Sequence, residues 1–186
     1  MAGLTEVNQE IVRQSLEVEG FFVRPNVEYG KPKEKTGKQS SGYGDIDILA
    51  EHPDGRKFLV QVKGWHTESL APNYFHNKRA FMDKLAKSKA RQVLKSNDFK
   101  TILVFSKIGK FRGRVKELAR KQGIDYVKEF SGILRQLIMY VEKHRNYDSE
   151  VLQTIRVLKV YGYLVEEKRG ETLPRIWTEK ALQLDP

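Results

Sequence analysis

The sequence predicts an α/β fold: a central mixed sheet flanked by helices, followed by a small helical or winged-helix-like C-terminal unit. Three observations carry this. Residues 42–65, GYGDIDILAEHPDGRKFLVQVKGW, read as two strands joined by a turn at His52-Pro53-Asp54-Gly55. Thr101–Ser106, TILVFS, is a short continuous apolar run with β-branched residues, the pattern of a strand covered on both faces. From there to Phe130, strand and helix signals alternate, which predicts crossover connections within one sheet.

Taken in order, the first element is a helix over Thr5–Glu19. Thr5 can cap it, and Glu6 sits in its first turn, where negative charge is favoured. Val7, Ile11 and Val18 lie on one side and Val12 and Leu16 on another, so the helix should pack on more than one face. Glu6, Glu10 and Glu17 form an acidic stripe. It is either a solvated face or the source of one inward-turned carboxylate; periodicity does not choose. Gly20 ends the helix, and Phe21–Tyr29 starts the sheet. Gly30–Gly44 is a Gly-, Ser- and Lys-rich loop. Its Lys31, Lys33, Lys35 and Lys38 either embrace a phosphate backbone or simply solvate the loop.

After the hairpin comes an irregular connection that includes His66, Glu68 and His76, without a further ligand at zinc-like spacing. A long helix is expected over Asn77–Asn97, with Phe81, Leu85, Val93 and Leu94 inward. Lys84, Lys87 and Arg91 belong to its basic face, suited to phosphate contacts that position a nucleic acid without reading it. Phe111–Gln122 is a second basic helix, and Ile124–Phe130 another strand. Past Ser131 the pattern changes. An amphipathic helix, GILRQLIMYVEKHR, precedes a second helix capped by Asp148 or Ser149 and stopped by Gly162. Tyr163–Lys168 and Arg175–Thr178 read as two strands, and Glu179–Leu184 as a last helical turn. The expected division is residues 1–130 and 131–186, the second being a winged-helix-like module, a completion of the core or a dimer interface.

Composition narrows the function. The chain of 186 residues has a net charge of +10, which favours an anionic partner, nucleic acid above all. It has no cysteine, which excludes disulfides and thiolate metal sites. With neither a spanning apolar run nor a signal-peptide pattern, the expectation is a cytoplasmic protein with no membrane partner.

The hairpin carries the chemistry. Residues two apart on a strand share a face, so Asp45 and Asp47 are expected on one face, and Gln61 and Lys63 likewise. If the strands pair across the turn, a carboxylate, an amide oxygen and an ammonium meet beside apolar strands. That gathering is costly unless it binds something, and a divalent metal with a phosphate would satisfy all three. Read blandly, the two aspartates cap turns near Gly42 and Gly44, and Lys63 is an ordinary strand-end lysine.

The order Asp47 … Gln61-x-Lys63 resembles the PD-(D/E)xK nucleases. GDIDILA followed by VQVKGW is similar to the Mrr-type restriction endonucleases, which use Gln-x-Lys; EIVRQSLEVEGFFV resembles the first helix and strand of archaeal Holliday-junction resolvases. The resemblance spans about residues 4 to 130. It implies a restriction-endonuclease-like core and a DNA endonuclease needing Mg2+ or Mn2+ and no small-molecule cofactor. Asp47 matches the metal-binding aspartate and Lys63 the catalytic lysine. Gln61 stands where most of the superfamily has Glu or Asp, with the Val62 carbonyl nearby as a further ligand. Glu10 is the best match for the first-helix glutamate, with Glu6 as the alternative, and Asp45 is an outer ligand or fixes the turn. A nuclease of this size would need two copies to cut both strands, hence a homodimer. Two other readings stay open: a non-catalytic nucleic-acid-binding module on a degenerate nuclease fold, and a structural subunit whose C-terminal part recruits a partner.

Overall fold

The computed structural model describes residues 4–31, 42–63, 84–105, 108, 112–164 and 175–184. Lys33, Lys35, Lys38, Trp65, His66, Glu68, His76, the helical residues expected at 77–83 and the strand residues expected at 165–168 lie outside these. The described elements are α1 (Leu4–Val18), β1 (Phe22–Lys31), β2 (Gly42–Glu51), β3 (Lys57–Lys63), α2 (Lys84–Leu94), β4 (Lys100–Phe105), α3 (Arg112–Lys121), β5 (Tyr126–Glu129), α4 (Phe130–Tyr140), α5 (Glu150–Val160) and α6 (Glu179–Leu184).

The strands form one mixed sheet in the order β1-β2-β3-β4-β5. β1, β2 and β3 run antiparallel; β3, β4 and β5 run parallel. The turn between β2 and β3 closes where His52 N–H bonds to Arg56 O at 2.9 Å, with Gly55 at φ 96°, a conformation that favours glycine. Parallel strands need covered faces, and both faces are covered. On one, Leu49, Leu59, Leu103 and Phe105 pack against Ala86, Ala90 and Leu94 of α2 and Val115 and Ala119 of α3. On the other, Ile48, Val60, Val62, Ile102 and Val104 pack against Val12 and Leu16 of α1, Ile133 of α4 and Leu182 of α6. The expected α/β architecture, a mixed sheet with flanking helices, is present.

α1 does pack on two faces, since Ile11 and Val18 also join the Leu137–Leu152–Ile155 cluster between α4 and α5. Its buried stripe runs through Asn8, Val12, Ser15 and Leu16, whereas Val7 is exposed. α2 stops at Leu94, short of the expected Asn97, because Lys95 takes φ 48° and Ser96 begins a turn onto Asp98. α5 is capped by Ser149, whose hydroxyl accepts from Leu152 N. The buried Lys159 ammonium donates to Ile138 O and Val141 O, tying α5 to the C-terminal carbonyls of α4.

Arg175–Thr178 is not a strand. Trp177 instead turns fully into the core beneath the sheet, beside Phe58. Its backbone N–H and that of Ile176 donate to the Glu19 carboxylate, and its indole N–H donates to Ser15 Oγ at 2.9 Å. These side-chain acceptors replace the ladder partners that a strand would have used. β5 passes directly into α4, with Glu129 ending one and Phe130 starting the other. No described helix is long and apolar enough to cross a membrane.

Candidate active site

The ladder between β2 and β3 holds from Glu51↔Lys57 to Ile48↔Val60 and stops there. Beyond it β3 stays paired with β4 through Lys63↔Phe105. Asp47 and Gln61, the next two residues, therefore stand at a fork in the sheet. A fork frees backbone groups that must find other partners. The Asp47 carboxylate supplies one, accepting from Val62 N at 2.5 Å.

Asp45 and Asp47, two apart on β2, differ in depth. Asp45 is exposed, whereas Asp47 is 2 % exposed. Ile46 and Ile48, also two apart, belong to opposite cores, so side-chain alternation breaks at Asp47. Across the ladder, Val27↔Ile46 and Pro25↔Ile48 bracket Asn26, which has φ 51°. Asparagine tolerates that left-handed conformation better than most residues, and the local twist it adds accounts for the break.

On β3 the alternation holds. Phe58, Val60 and Val62 face α1, and Leu59 faces α2, so Gln61 and Lys63 continue on the α2 side. Gln61 is buried and Lys63 half-buried. The structure thus brings Asp47, Gln61, Val62 and Lys63 to one end of the parallel strands. Burial pushes the Asp47 carboxyl up to about 6, and neighbouring Asp45 adds to the rise. The Lys63 charge, the Val62 N–H and a hydrogen bond from the Gln9 side chain pull the other way.

Gln9 is the residue that sequence reasoning missed. It reaches Asp47 from α1, while Glu10, one position on, faces elsewhere. Arg13 forks onto both Glu10 oxygens at 2.6 and 2.7 Å, and Gln14 Nε2 donates at 3.0 Å. The Arg13 hydrogen bonds hold the Glu10 carboxyl below its ordinary range. A search for a carboxylate passes over an amide.

Lys31 sits at the end of β1, with its ammonium 5.3 Å from the Tyr29 ring centroid. Lys84 and Arg91 are exposed on α2, and Lys87 donates to Gly123 O at 2.9 Å, linking α2 to the end of α3.

Among the described residues no three His, Cys, Asp or Glu side chains converge as a metal cage. The donors at the fork are oxygens: one carboxylate and neighbouring amides. That set suits Mg2+ or Mn2+, hard cations that commonly bind through one or two carboxylates plus substrate phosphates. No protein-family model matches the chain, and neither a curated protein nor a solved structure matches it.

Proposed function

We propose that this chain is a metal-dependent endonuclease that hydrolyses DNA phosphodiester bonds on a restriction-endonuclease-like core. The observation that carries the reading is the fork: a buried Asp47, with Gln61 and Lys63 beside it, where the strands part. The PD-(D/E)xK resemblance independently picks the same three residues. In this reading Asp47 and the Gln61 amide oxygen hold Mg2+ or Mn2+, the Val62 carbonyl stands by as a further donor, and a substrate phosphate completes the set. When bound, the ion supplies charge neutralisation at phosphorus and a more acidic water. Lys63 orients the attacking water or stabilises the developing negative charge. Val62 N–H and Gln9 fix the Asp47 carboxylate so that its free lone pairs point one way. Asp45 raises the local negative charge from outside. Glu10 takes part only if it leaves its fork with Arg13. Lys31, Lys84, Lys87 and Arg91 contact phosphates, and two copies act on the two strands.

The test is cleavage of plasmid, single-stranded, flap and four-way-junction DNA with Mg2+ or Mn2+. Activity should vanish in Asp47→Ala and Lys63→Ala, with Glu10→Ala assayed beside them. Cleavage of none of these DNAs, or full activity in the first two variants, overturns the proposal.

The neutral Gln61 and the Arg13-bound Glu10 favour one second reading, a non-catalytic nucleic-acid-binding module. It requires salt-sensitive DNA binding without cleavage, unchanged by Asp47→Ala.

A further inference from the structure

The charge of this protein is not spread evenly over the fold. α2, KLAKSKARQVL, carries four cations and no acid. α3, RGRVKELARK, carries five cations and one acid, Glu117, whose carboxylate is already held by Lys121 at 2.6 Å. Both helices cover the same face of the sheet, through Ala86, Ala90, Leu94, Val115 and Ala119. Lys87 bridges them by its bond to Gly123 O, just past the end of α3. The opposite face is different. α1 has three glutamates and one arginine.

The side of approach follows from β3. Gln61 and Lys63 continue the Leu59 line toward α2, and Lys63 pairs in register with Phe105, the last residue of β4. α3 begins a few residues later, so Arg114 in its first turn lies at the same carboxyl edge of the parallel strands. Ligands of open α/β sheets bind outside that edge.

We infer that a nucleic-acid backbone lies against α2 and α3 and reaches Gln61 and Lys63 from that side, away from α1. The surface is argued from charge, and its relation to the site rests on the nuclease reading above. α3 thereby becomes a second phosphate-contacting helix beside α2. The contacts are electrostatic and read no sequence, because phosphate contacts position a duplex without carrying base information.

The experiment compares two fourfold variants of equal charge by anisotropy of a labelled DNA duplex, without metal, over a salt series. One combines Lys84→Ala, Arg91→Ala, Arg114→Ala and Arg120→Ala, all exposed on the α2–α3 layer. The other combines Arg24→Ala, Arg145→Ala, Arg175→Ala and Lys180→Ala, all exposed elsewhere. Each lost phosphate contact lowers the slope of log affinity on log salt by about 0.9. The first variant should lose a slope of roughly 2 to 4 and at least about tenfold in affinity, and the second far less. Equal losses, or an unchanged slope in the first, overturn the inference whether or not the protein cleaves DNA. Binding through this face with no cleavage by the wild type overturns the nuclease reading and leaves the surface standing. Two double variants, one per helix, repeat the comparison should the fourfold change lower the melting temperature.

Discussion

Val62 donates its backbone N–H to the Asp47 carboxylate at 2.5 Å, at the point where β2 and β3 stop pairing. One short bond thus does two things. It satisfies a donor that the fork leaves without a ladder partner, and it orients a carboxylate whose ionised form burial disfavours.

Asp47→Asn should abolish metal-dependent cleavage and stabilise the fold. The folded Asp47 has its pKa raised from 3.8 to about 6, so the folded state holds the proton more tightly than the unfolded chain. Ionising it therefore costs stability. The penalty is absent below about pH 4, grows as pH rises to about 6, and is then constant at about 3 kcal/mol. Asn keeps an oxygen for the Val62 N–H and removes the penalty. Urea unfolding should show the variant more stable than wild type at pH 7 and equal to it near pH 4. A wild type that is the more stable at pH 7 would refute the assignment.

Gln9→Glu places a second carboxylate against Asp47. If the fork binds a divalent cation, half-maximal activity should come at a metal concentration several-fold lower, because charge on the donors raises affinity for hard cations. Without metal the same variant should melt lower, through repulsion between the buried Asp47 and a half-buried carboxylate beside it. Gln9→Ala should raise the metal requirement and leave melting nearly unchanged. A metal titration of both variants decides this; the same requirement in all three proteins would show that Gln9 does not act on the site.

Gly44→Ala should cost about 1–3 kcal/mol, as overpacking does. A Cβ built there would stand 2.5 Å from Tyr29 Cζ and 2.4 Å from Lys31 Cε, so the Tyr29 ring must move. Tyr29 pairs with Gly44 across the β1–β2 ladder, one step from Asp45. The double variant Gly44→Ala, Tyr29→Ala should lose less than the sum of the two single changes, measured by thermal melting. Full additivity would mean that the contact is not the reason Gly stands there.

The element order was legible because each strand and helix announces itself locally. Phe58–Lys63 alternates, TILVFS is uniformly apolar, and Gly20, Gly55 and Gly123 mark ends where the chain takes positive φ. Asp47, Gln61 and Lys63 were legible as a set from order and spacing. What stayed hidden depends on contacts distant in sequence. That Gln9 rather than Glu10 meets Asp47 is decided by which face of α1 the sheet takes, and the Arg13 fork fixes it only in three dimensions. The broken alternation at Asp47 follows from φ at Asn26, a residue on another strand. Arg175–Thr178 looked like a strand because Ile176, Trp177 and Thr178 are β-branched or aromatic, but Trp177 is drawn inward by Glu19 and Ser15, more than 150 residues earlier.

Trp177 supplies the last prediction. It is fully buried, tilted against Phe58 at 6.3 Å, with the Lys128 ammonium 5.5 Å from its ring centroid. Its carbonyl accepts from Arg56 at 2.8 Å, so the segment is tied to α1, to the β2–β3 turn and to β5 together. Trp177→Ala should cost about 3–5 kcal/mol, the range for a large aromatic removed from a packed core. Trp177→Phe should cost less, keeping most of the packing and losing the indole hydrogen bond to Ser15. Because the ring belongs to the same core as Ile48, Val60 and Ile102, the loss should appear in the sheet itself. Amide exchange at Val60 and Ile102 should accelerate together with that at Leu137 and Ile155 in Trp177→Ala. Unchanged protection at Val60 and Ile102, with loss confined to α4 and α5, would mean that the C-terminal segment and the sheet unfold as separate units.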